Sequence, residues 1–457
     1  MANKHVTIIG GGVAGLSAAL QLAKFDVQVD VIEQNAFLGG HAIRLACKAT
    51  ERCVKCGACM VEEKLHQAQQ MPGIRLLTET QLNQINKDQR FSLALTRAPQ
   101  WIDPEQCNDC GVCRGLCPAD AIIQGTSSSH RPFYAIDRKK CTRSAQRKEI
   151  LVQVQGGTER QSAGIPKHSE TSKEGPSAEI GPKGFSEMAS EGPGDDCQAC
   201  QDGCPQNAIH LDREPSVEIC ETDAVILTTG FTPFRPHDKP YGYQRFANVM
   251  TNLELEETLR HSLQAIKRSD GSPVKKVAFV QCVGSRDAKL NHLWCSRVCC
   301  GSSLRLARLI QHRQADTAIT VFYIDIQNFG KDFEPYYQSA RETIRFERAI
   351  PGDIFQREDG RLQVTFVDSM THAGKEEDFD LVVLAVGLCP PEPIETTDRF
   401  LKSYQPENDF IQLPQTMDGI FAAGAATGPM TIAESVASAE AAAWSTIQYL
   451  GLTSVRP

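Results

Sequence analysis

A short β-branched run, Val6-Thr-Ile-Ile9, leads directly into Gly10-Gly-Gly-Val-Ala-Gly15, and the good helix formers of Leu16–Ala23 follow. A second strand-like run, Val27–Ile32, ends at Glu33. Strand, glycine turn, helix, strand and acid in that order form the frame of a dinucleotide-binding unit. Gly10 allows the tight turn, Gly12 lets the backbone approach a pyrophosphate, and Gly15 lets helix and strand pack closely. The helix N-terminus then faces the phosphates. Glu33, 18 residues beyond Gly15, is placed to bond a ribose hydroxyl. A glycine-rich turn without a ligand is the plain alternative, and the complete flanking pattern weighs against it.

The chain has 457 residues, enough for two to four domains with a large core. It is 41% hydrophobic and 23% charged with a formal net charge of −8, a balance that argues against a nucleic-acid binder. No run of 18 apolar residues occurs, so no membrane span is expected. The N-terminus lacks the pattern of a signal peptide, and a cytoplasmic location is the expectation. Against this background the 18 cysteines stand out. They cluster at gaps of two and three residues, which suits thiolates around a metal centre and is poor geometry for disulfides.

Cys107-x2-Cys110-x2-Cys113-x3-Cys117-Pro118 has the spacing of a bacterial ferredoxin motif, whose fourth cysteine serves the other of two paired [4Fe-4S] clusters. Cys197-x2-Cys200-x3-Cys204-Pro205 supplies the last three cysteines of a second motif. Cys141 reads as its detached first cysteine. One cluster is therefore expected on Cys107, Cys110, Cys113 and Cys204, and another on Cys117, Cys141, Cys197 and Cys200. A three-cysteine cluster, or a free Cys141, is the competing possibility. Residues 143–196, poor in apolar side chains, read as a disordered loop or linker inserted in the second motif.

Two further groups are less decided by spacing. Cys282 with Cys295, Cys299 and Cys300 suits either a cluster or buried thiols, with Arg286 and Arg297 available to neutralise charge. Cys47, Cys53, Cys56 and Cys59 form a cluster-like group for which structural zinc and a redox-active thiol pair also compete. Four groups of four take 16 of the 18 cysteines, leaving Cys220 and Cys389 as core thiols.

Gly39-Gly40 suits a loop continuing along a dinucleotide. The segments Asp223–Gly230 and Gly419–Gly424 read as strands with small-residue turns, the latter leading through Met430, Thr431 and Ile432 into an alanine-rich helix whose N-terminal dipole favours a reduced flavin. These segments resemble the FAD-binding elements of thioredoxin-reductase-like flavoproteins, which implies FAD and a fold of two Rossmann-like dinucleotide domains. One departure is Ala425, where many members carry an acid. In the second domain the strand Val277–Gln281 is followed by Cys282-Val-Gly-Ser-Arg286, with no second glycine fingerprint for a nicotinamide.

Gln281-Cys-Val-Gly-Ser-Arg-Asp287 and Cys295-Ser-Arg-Val-Cys-Cys300 are similar to the hallmark of the heterodisulfide reductase A-subunit family. Phe322–Ile326 and Gly424–Met430 extend the resemblance over nearly the whole chain. It implies an α/β flavoprotein with an inserted ferredoxin-like α+β domain, and a third [4Fe-4S] cluster on Cys282, Cys295, Cys299 and Cys300 beside the flavin. The implied organisation is an FAD domain in parts (1–98, 217–270 and 391–457), the insertion (99–216) and the second Rossmann-like domain (271–390). Electrons would enter or leave at the ferredoxin unit and exchange with FAD through the third cluster. The implied partners are B- and C-like iron–sulfur subunits and ferredoxin or a similar carrier, with a homodimer inside a hetero-oligomer. A compact form, without the long extensions of methanogen members, is the expectation. Arg305 stands where some electron-bifurcating members have lysine, which argues against bifurcation. A stand-alone NAD(P)H oxidoreductase resembling the glutamate synthase small subunit is the alternative, and a zinc-binding scaffold a third. His41 is expected on a surface loop, with a place near the isoalloxazine as the alternative, Lys139 and Lys140 in solvent, and Tyr336-Tyr337 in packing.

Overall fold

The computed structural model describes residues 4–127, 129–130, 132–143, 197–327, 332–392, 409–413 and 418–452. The expected low-complexity loop lies outside the described residues apart from Arg143. The chain forms two compact units. One comprises Met1–Pro99, Thr126–His130 and Glu214–Pro457, and the other Gln100–Gly125 and Arg131–Arg213.

The larger unit contains two five-stranded sheets, each wholly parallel. In the first, the strands run in the order Ile420–Ala422, Ala224–Leu227, His5–Ile9, Gln28–Ile32, Ile74–Leu77. Both faces are covered, so the central strands are apolar without alternation: Val6, Ile8, Val29, Val31, Val225 and Ile226 are all buried. The helix Val13–Ala23 packs on one face beside the C-terminal helix Ile432–Tyr449, through a shared core that includes Leu16, Ala19, Ala439 and Ala443. After His5–Ile9 the chain winds outward to one side, then returns to the other at Ala224–Leu227. That reversal leaves a crevice at the carboxyl ends of these two strands, where doubly wound sheets bind ligands.

The second sheet has the order Val249–Thr251, Leu381–Val386, Lys276–Val283, Ala318–Phe322, Arg345–Glu347. Its switch point lies between Lys276–Val283 and Leu381–Val386. The helix Cys299–Arg313 covers it, burying Leu304, Leu306, Ala307 and Ile310. The short antiparallel pair Thr232–Pro233 with Leu388–Cys389 also belongs to the unit. So do two antiparallel three-stranded sheets: Ile354–Gln356, Leu362–Val367 and Gly374–Phe379, and Thr80–Lys87, Phe91–Arg97 and Ser216–Thr222. In the second of these sheets, Arg97 pairs with Ser216, so the chain leaves for the insertion and returns from it on neighbouring strands.

The smaller unit is built on a short antiparallel pair, Ile122–Gln124 with Tyr134–Ile136, and two short helices, Val112–Leu116 and Ala199–Asp202. Its core is Trp101, Ile102, Ile122, Ile136, Ile209 and Leu211, with cysteines packed against it.

Candidate flavin and iron–sulfur sites

At the crevice of the first sheet, Gly10 has φ +110°, and a Cβ there would stand 2.3 Å from the Thr228 carbonyl oxygen. A Cβ on Gly15 would stand 2.0 Å from the Gly10 oxygen, so the helix can approach the turn only at glycine. Gly12 is different: the nearest atom to its would-be Cβ is Gly40 Cα at 4.0 Å, which leaves its backbone open. Gly39 donates to the Gly11 carbonyl at 2.7 Å, laying the Gly39-Gly40 loop along the turn. Gly230 and Gly424 follow the carboxyl ends of the two strands across the switch point, and a Cβ on Gly230 would meet nothing within 4 Å.

Glu33 is buried. One carboxylate oxygen accepts from the Gly11 amide at 2.9 Å, and the other from the Asn35 amide at 2.9 Å and side chain at 2.6 Å. Burial is the main influence on its acidity and pushes its pKa up, against those hydrogen bonds. Thr229 Oγ1, beside Gly230, is buried and has no hydrogen-bond partner among the described residues. An open glycine backbone, a buried acid and an orphaned hydroxyl at one switch point fit the phosphate and ribose of FAD. Thr229 was not a sequence candidate; a hydroxyl one residue before a turn glycine is too common to single out.

Thr431 caps the C-terminal helix. Its hydroxyl accepts from the Glu434 amide at 3.2 Å, and the Glu434 carboxylate accepts from the Thr431 amide at 2.8 Å. Met430 lies just before the cap and Ile432 opens the helix. His41 departs from expectation. It is only partly exposed, its ring lies against Phe231 with centroids 4.6 Å apart, and Nε2 is 3.1 Å from the Phe231 carbonyl oxygen. The parallel bridge between Gly12 and Gly39 draws the loop inward, so His41 meets the segment after Gly230. Lys139 and Lys140 are exposed as expected, and Tyr336 and Tyr337 pack against Arg308 and Phe346.

In the smaller unit, Cys107, Cys110, Cys113 and Cys204 line one pocket together with Tyr134 and Ile209. Burial, then the neighbouring thiols of Cys107, Cys110 and Cys204, pushes the Cys113 thiol up to about 11. Cys200 is pushed up to about 12 by burial and then by Cys117, Cys141 and Cys197. The eight cysteines thus fall into two quartets, each drawing one cysteine from the other's motif. The halves repeat in backbone detail. The Cys107 amide donates to the Asp103 carbonyl and the Cys141 amide to Asp137, both at 2.9 Å. The Ala121 amide meets Cys117 Sγ at 3.2 Å and the Ala208 amide meets Cys204 Sγ at 3.3 Å. Amides aimed at sulfur favour the thiolate, the form an iron cluster binds.

In the second sheet a bulge between Val280 and Val283 puts Cys282 at φ +60° at the carboxyl end of the central strand. This is where a nicotinamide-binding domain carries its glycine turn. Cys299 and Cys300 open the following helix, each 2% exposed; the neighbouring Cys300 and burial push the Cys299 thiol well up, while the hydrogen bond with Cys299 lowers that of Cys300. Burial and then Cys300 push Cys282 up to about 12. The Arg297 amide donates to Cys295 Sγ at 3.3 Å. Both expected charge-neutralising arginines already have carboxylate partners: Arg286 holds Asp325 at 2.5 Å, and Arg297 holds Glu434 at 2.8 Å.

Cys47, Cys53 and Cys59 are exposed and Cys56 partly so; the structure does not enclose this group as it does the other three. The loop itself is held firmly. Glu256 accepts from the Ala46 amide at 2.9 Å and from Lys48, while Arg260 donates to the Leu45 carbonyl at 3.0 Å. Cys220 is buried and Cys389 partly so.

Residues 8–58 match the NAD(P)-binding Rossmann-like domain family, and residues 101–123 the 4Fe-4S binding domain family. The A-subunit of the H(2):CoB-CoM heterodisulfide,ferredoxin reductase of Methanothermobacter marburgensis is 30% identical over 95% of this chain and 62% of its own length. The A-subunit of the Ferredoxin/F(420)H(2)-dependent CoB-CoM heterodisulfide reductase of Methanosarcina acetivorans is 30% identical over 98% of this chain and 54% of its own. The chain is a homologue of the heterodisulfide reductase A-subunit. This homologue spans less than two thirds of the length of those relatives. Lactococcus lactis thioredoxin reductase aligns with it at a TM-score of 0.49 and 13% identity, covering 98% of this chain and 99% of that one. The A-subunit homologue has two Rossmann-like parallel sheets and an inserted unit that carries the 4Fe-4S match. Among the described residues, no helix is long and apolar enough to cross a membrane.

Proposed function

We propose that the chain is the FAD- and [4Fe-4S]-carrying electron-transfer subunit of a heterodisulfide-reductase-like oxidoreductase complex in the cytoplasm. The observation that carries this is the Arg297 bridge. Arg297 lies between Cys295 and Cys299, and its guanidinium donates to Glu434 at 2.8 Å and to the Pro429 carbonyl at 3.2 Å. One side chain therefore ties the third quartet to the capped helix end expected to face a flavin. The Cys53–Cys59 loop reaches the same place: a Cβ on Gly57 would stand 3.2 Å from the Ile432 side chain.

Gly10, Gly12, Gly15, Glu33, Gly39, Gly40, Thr229, Gly230, Gly424, Met430, Thr431 and Ile432 would hold FAD. Three quartets would hold clusters, and Cys47, Cys53, Cys56 and Cys59 a fourth. When bound, flavin supplies two-electron chemistry and the clusters one-electron transfer, which makes such a chain a junction between the two. The protein's own contribution is to fix the flavin-facing helix against the cysteine loop and to bury Cys299 and Cys300 from water. The partners proposed are iron–sulfur subunits resembling B and C subunits and a ferredoxin-like carrier, with a homodimer inside the complex.

The test is anaerobic purification of the full chain, with iron, acid-labile sulfide, zinc and FAD measured per chain. The sample is then photoreduced and followed by flavin absorbance and electron paramagnetic resonance. Bound FAD together with cluster signals that develop on reduction supports the proposal. Protein without flavin, or with zinc in place of iron, overturns it. Rapid bleaching by NADH or NADPH alone would move the assignment to a nicotinamide-dependent oxidoreductase.

A further inference from the structure

Away from the flavin crevice, three side chains from three strands meet. His5 opens the first strand, Asp30 lies on its neighbour Gln28–Ile32, and Cys220 lies on Ser216–Thr222. Their ligand atoms are all within 4.8 Å of one another. Asp30 and Cys220 are almost wholly buried, and the His5 side chain is 21% exposed. We propose that His5 Nε2, Asp30 Oδ2 and Cys220 Sγ bind one zinc ion, with the fourth position open to the depression lined by Gln28, Gly73, Ile74 and Arg75.

Three observations carry this. The first is the histidine tautomer. His5 Nδ1 lies 2.7 Å from the Glu221 carbonyl oxygen, which can only accept, so Nδ1 carries the hydrogen. In neutral imidazole Nε2 is then a bare lone pair, and it lies 3.2 Å from a carboxylate oxygen. A backbone carbonyl fixing Nδ1–H is the arrangement that aims Nε2 at a metal.

The second is crowding on one oxygen. Asp30 Oδ2 accepts from Arg75 at 2.6 Å and from Cys220 Sγ at 3.4 Å, which fills its two lone pairs, while the lone pair of neutral His5 Nε2 stands 3.2 Å away with no proton between them. Its other oxygen meets only the Arg75 Nε at 2.8 Å among the bonds described. A cation between nitrogen, oxygen and sulfur resolves this and leaves Arg75 as an outer partner of the carboxylate.

The third is size. Zinc bonds of about 2.0–2.1 Å to nitrogen, 2.0–2.2 Å to oxygen and 2.3 Å to sulfur give tetrahedral edges of about 3.3 Å (N–O) and 3.5 Å (O–S). The observed separations are 3.2 and 3.4 Å. Binding would release the Cys220 thiol proton to solvent and join the thiolate to zinc, with no change in redox state. The site would pin the strand that returns from the insertion onto the parallel sheet. It uses none of the sixteen cysteines of the quartets and does not depend on the proposed electron-transfer role.

The experiment compares the full-length holoprotein with H5Q and C220S, all produced in zinc-supplemented medium and purified anaerobically. Zinc, iron and FAD are measured per chain, and zinc X-ray absorption is recorded on the unaltered protein. The expected result is about one zinc per chain that falls at least about fivefold in both variants, with iron and FAD unchanged. The spectrum should show one sulfur at about 2.3 Å and lighter donors at about 2.0 Å. Absence of zinc, zinc that persists in both variants, or a sulfur-only spectrum overturns the proposal. The spectrum decides the matter even if a variant fails to fold.

Discussion

Lys48 Nζ lies 2.7 Å from Glu256 Oε1, and both side chains are at most 3% exposed. Glu256 also accepts from the Ala46 amide and from Ser302, two residues beyond Cys300. One buried carboxylate thus fastens the Cys47 loop to the helix that carries Cys299 and Cys300. Breaking a buried pair strands a charge, at a cost of about 3–5 kcal/mol. E256L should destabilise the protein by that order, and K48M/E256L by clearly less than E256L alone. Anaerobic urea unfolding of the three proteins checks this; equal losses in the single and double variants would remove the pair from the account.

Cys141 shares with Cys107 the amide bond to an aspartate carbonyl four residues earlier. C141S and C107S should therefore have similar effects, each lowering iron by up to about four atoms per chain from about 16 if all four groups hold cubanes. Iron analysis beside FAD analysis settles it. A C141S protein with full iron would leave Cys141 a bystander.

Gly10 allows no side chain, because its φ is +110° and a Cβ would lie 2.3 Å from the Thr228 oxygen. G10A should lose most of its bound FAD. The expected readout is the ratio of flavin to protein absorbance after gel filtration, and retention at the unaltered level would contradict the crevice assignment.

Glu434 has its acidity strengthened first by the Thr431 amide; burial, the next largest influence, opposes this, and the Thr431 side chain and Arg297 add to it. Its folded-state pKa is therefore depressed. The stability it contributes is fully present above its ordinary value near 4.5 and is lost as pH falls through the lower folded value. E434Q should be less stable than the parent at pH 7, with the gap narrowing below pH about 4. Urea unfolding at both pH values measures it, and a gap that widens in acid would reverse the sign.

R297Q leaves Glu434 without its guanidinium partner at the helix end expected to face flavin. The flavin midpoint potential should move to a more negative value, because an unpaired carboxylate disfavours the reduced, more negative ring. R297K should restore the potential only in part, since lysine cannot reproduce a fork that reaches both Glu434 and Pro429. Redox titration of the holoprotein reads both.

Some of this was written locally in the chain. Strand, glycine turn and helix at Val6–Ala23, and the cysteine gaps at 107–117 and 295–300, are patterns over a few residues, where covalent geometry limits the outcomes. His41 was misjudged because its surroundings come from Phe231, far along the chain. Thr229, Lys48 and Glu256 carried no signal at all, since an isolated hydroxyl or charge reads as solvated until its burial is known.

By itself the sequence determined which residues can be ligands and turns, because thiolate spacing and glycine backbone freedom act within a single loop. Only the tertiary structure decided which distant groups meet: His41 with Phe231, Arg297 with Glu434, and Lys48 with Glu256. Those meetings depend on strand order and on the burial of apolar faces, which no local pattern encodes.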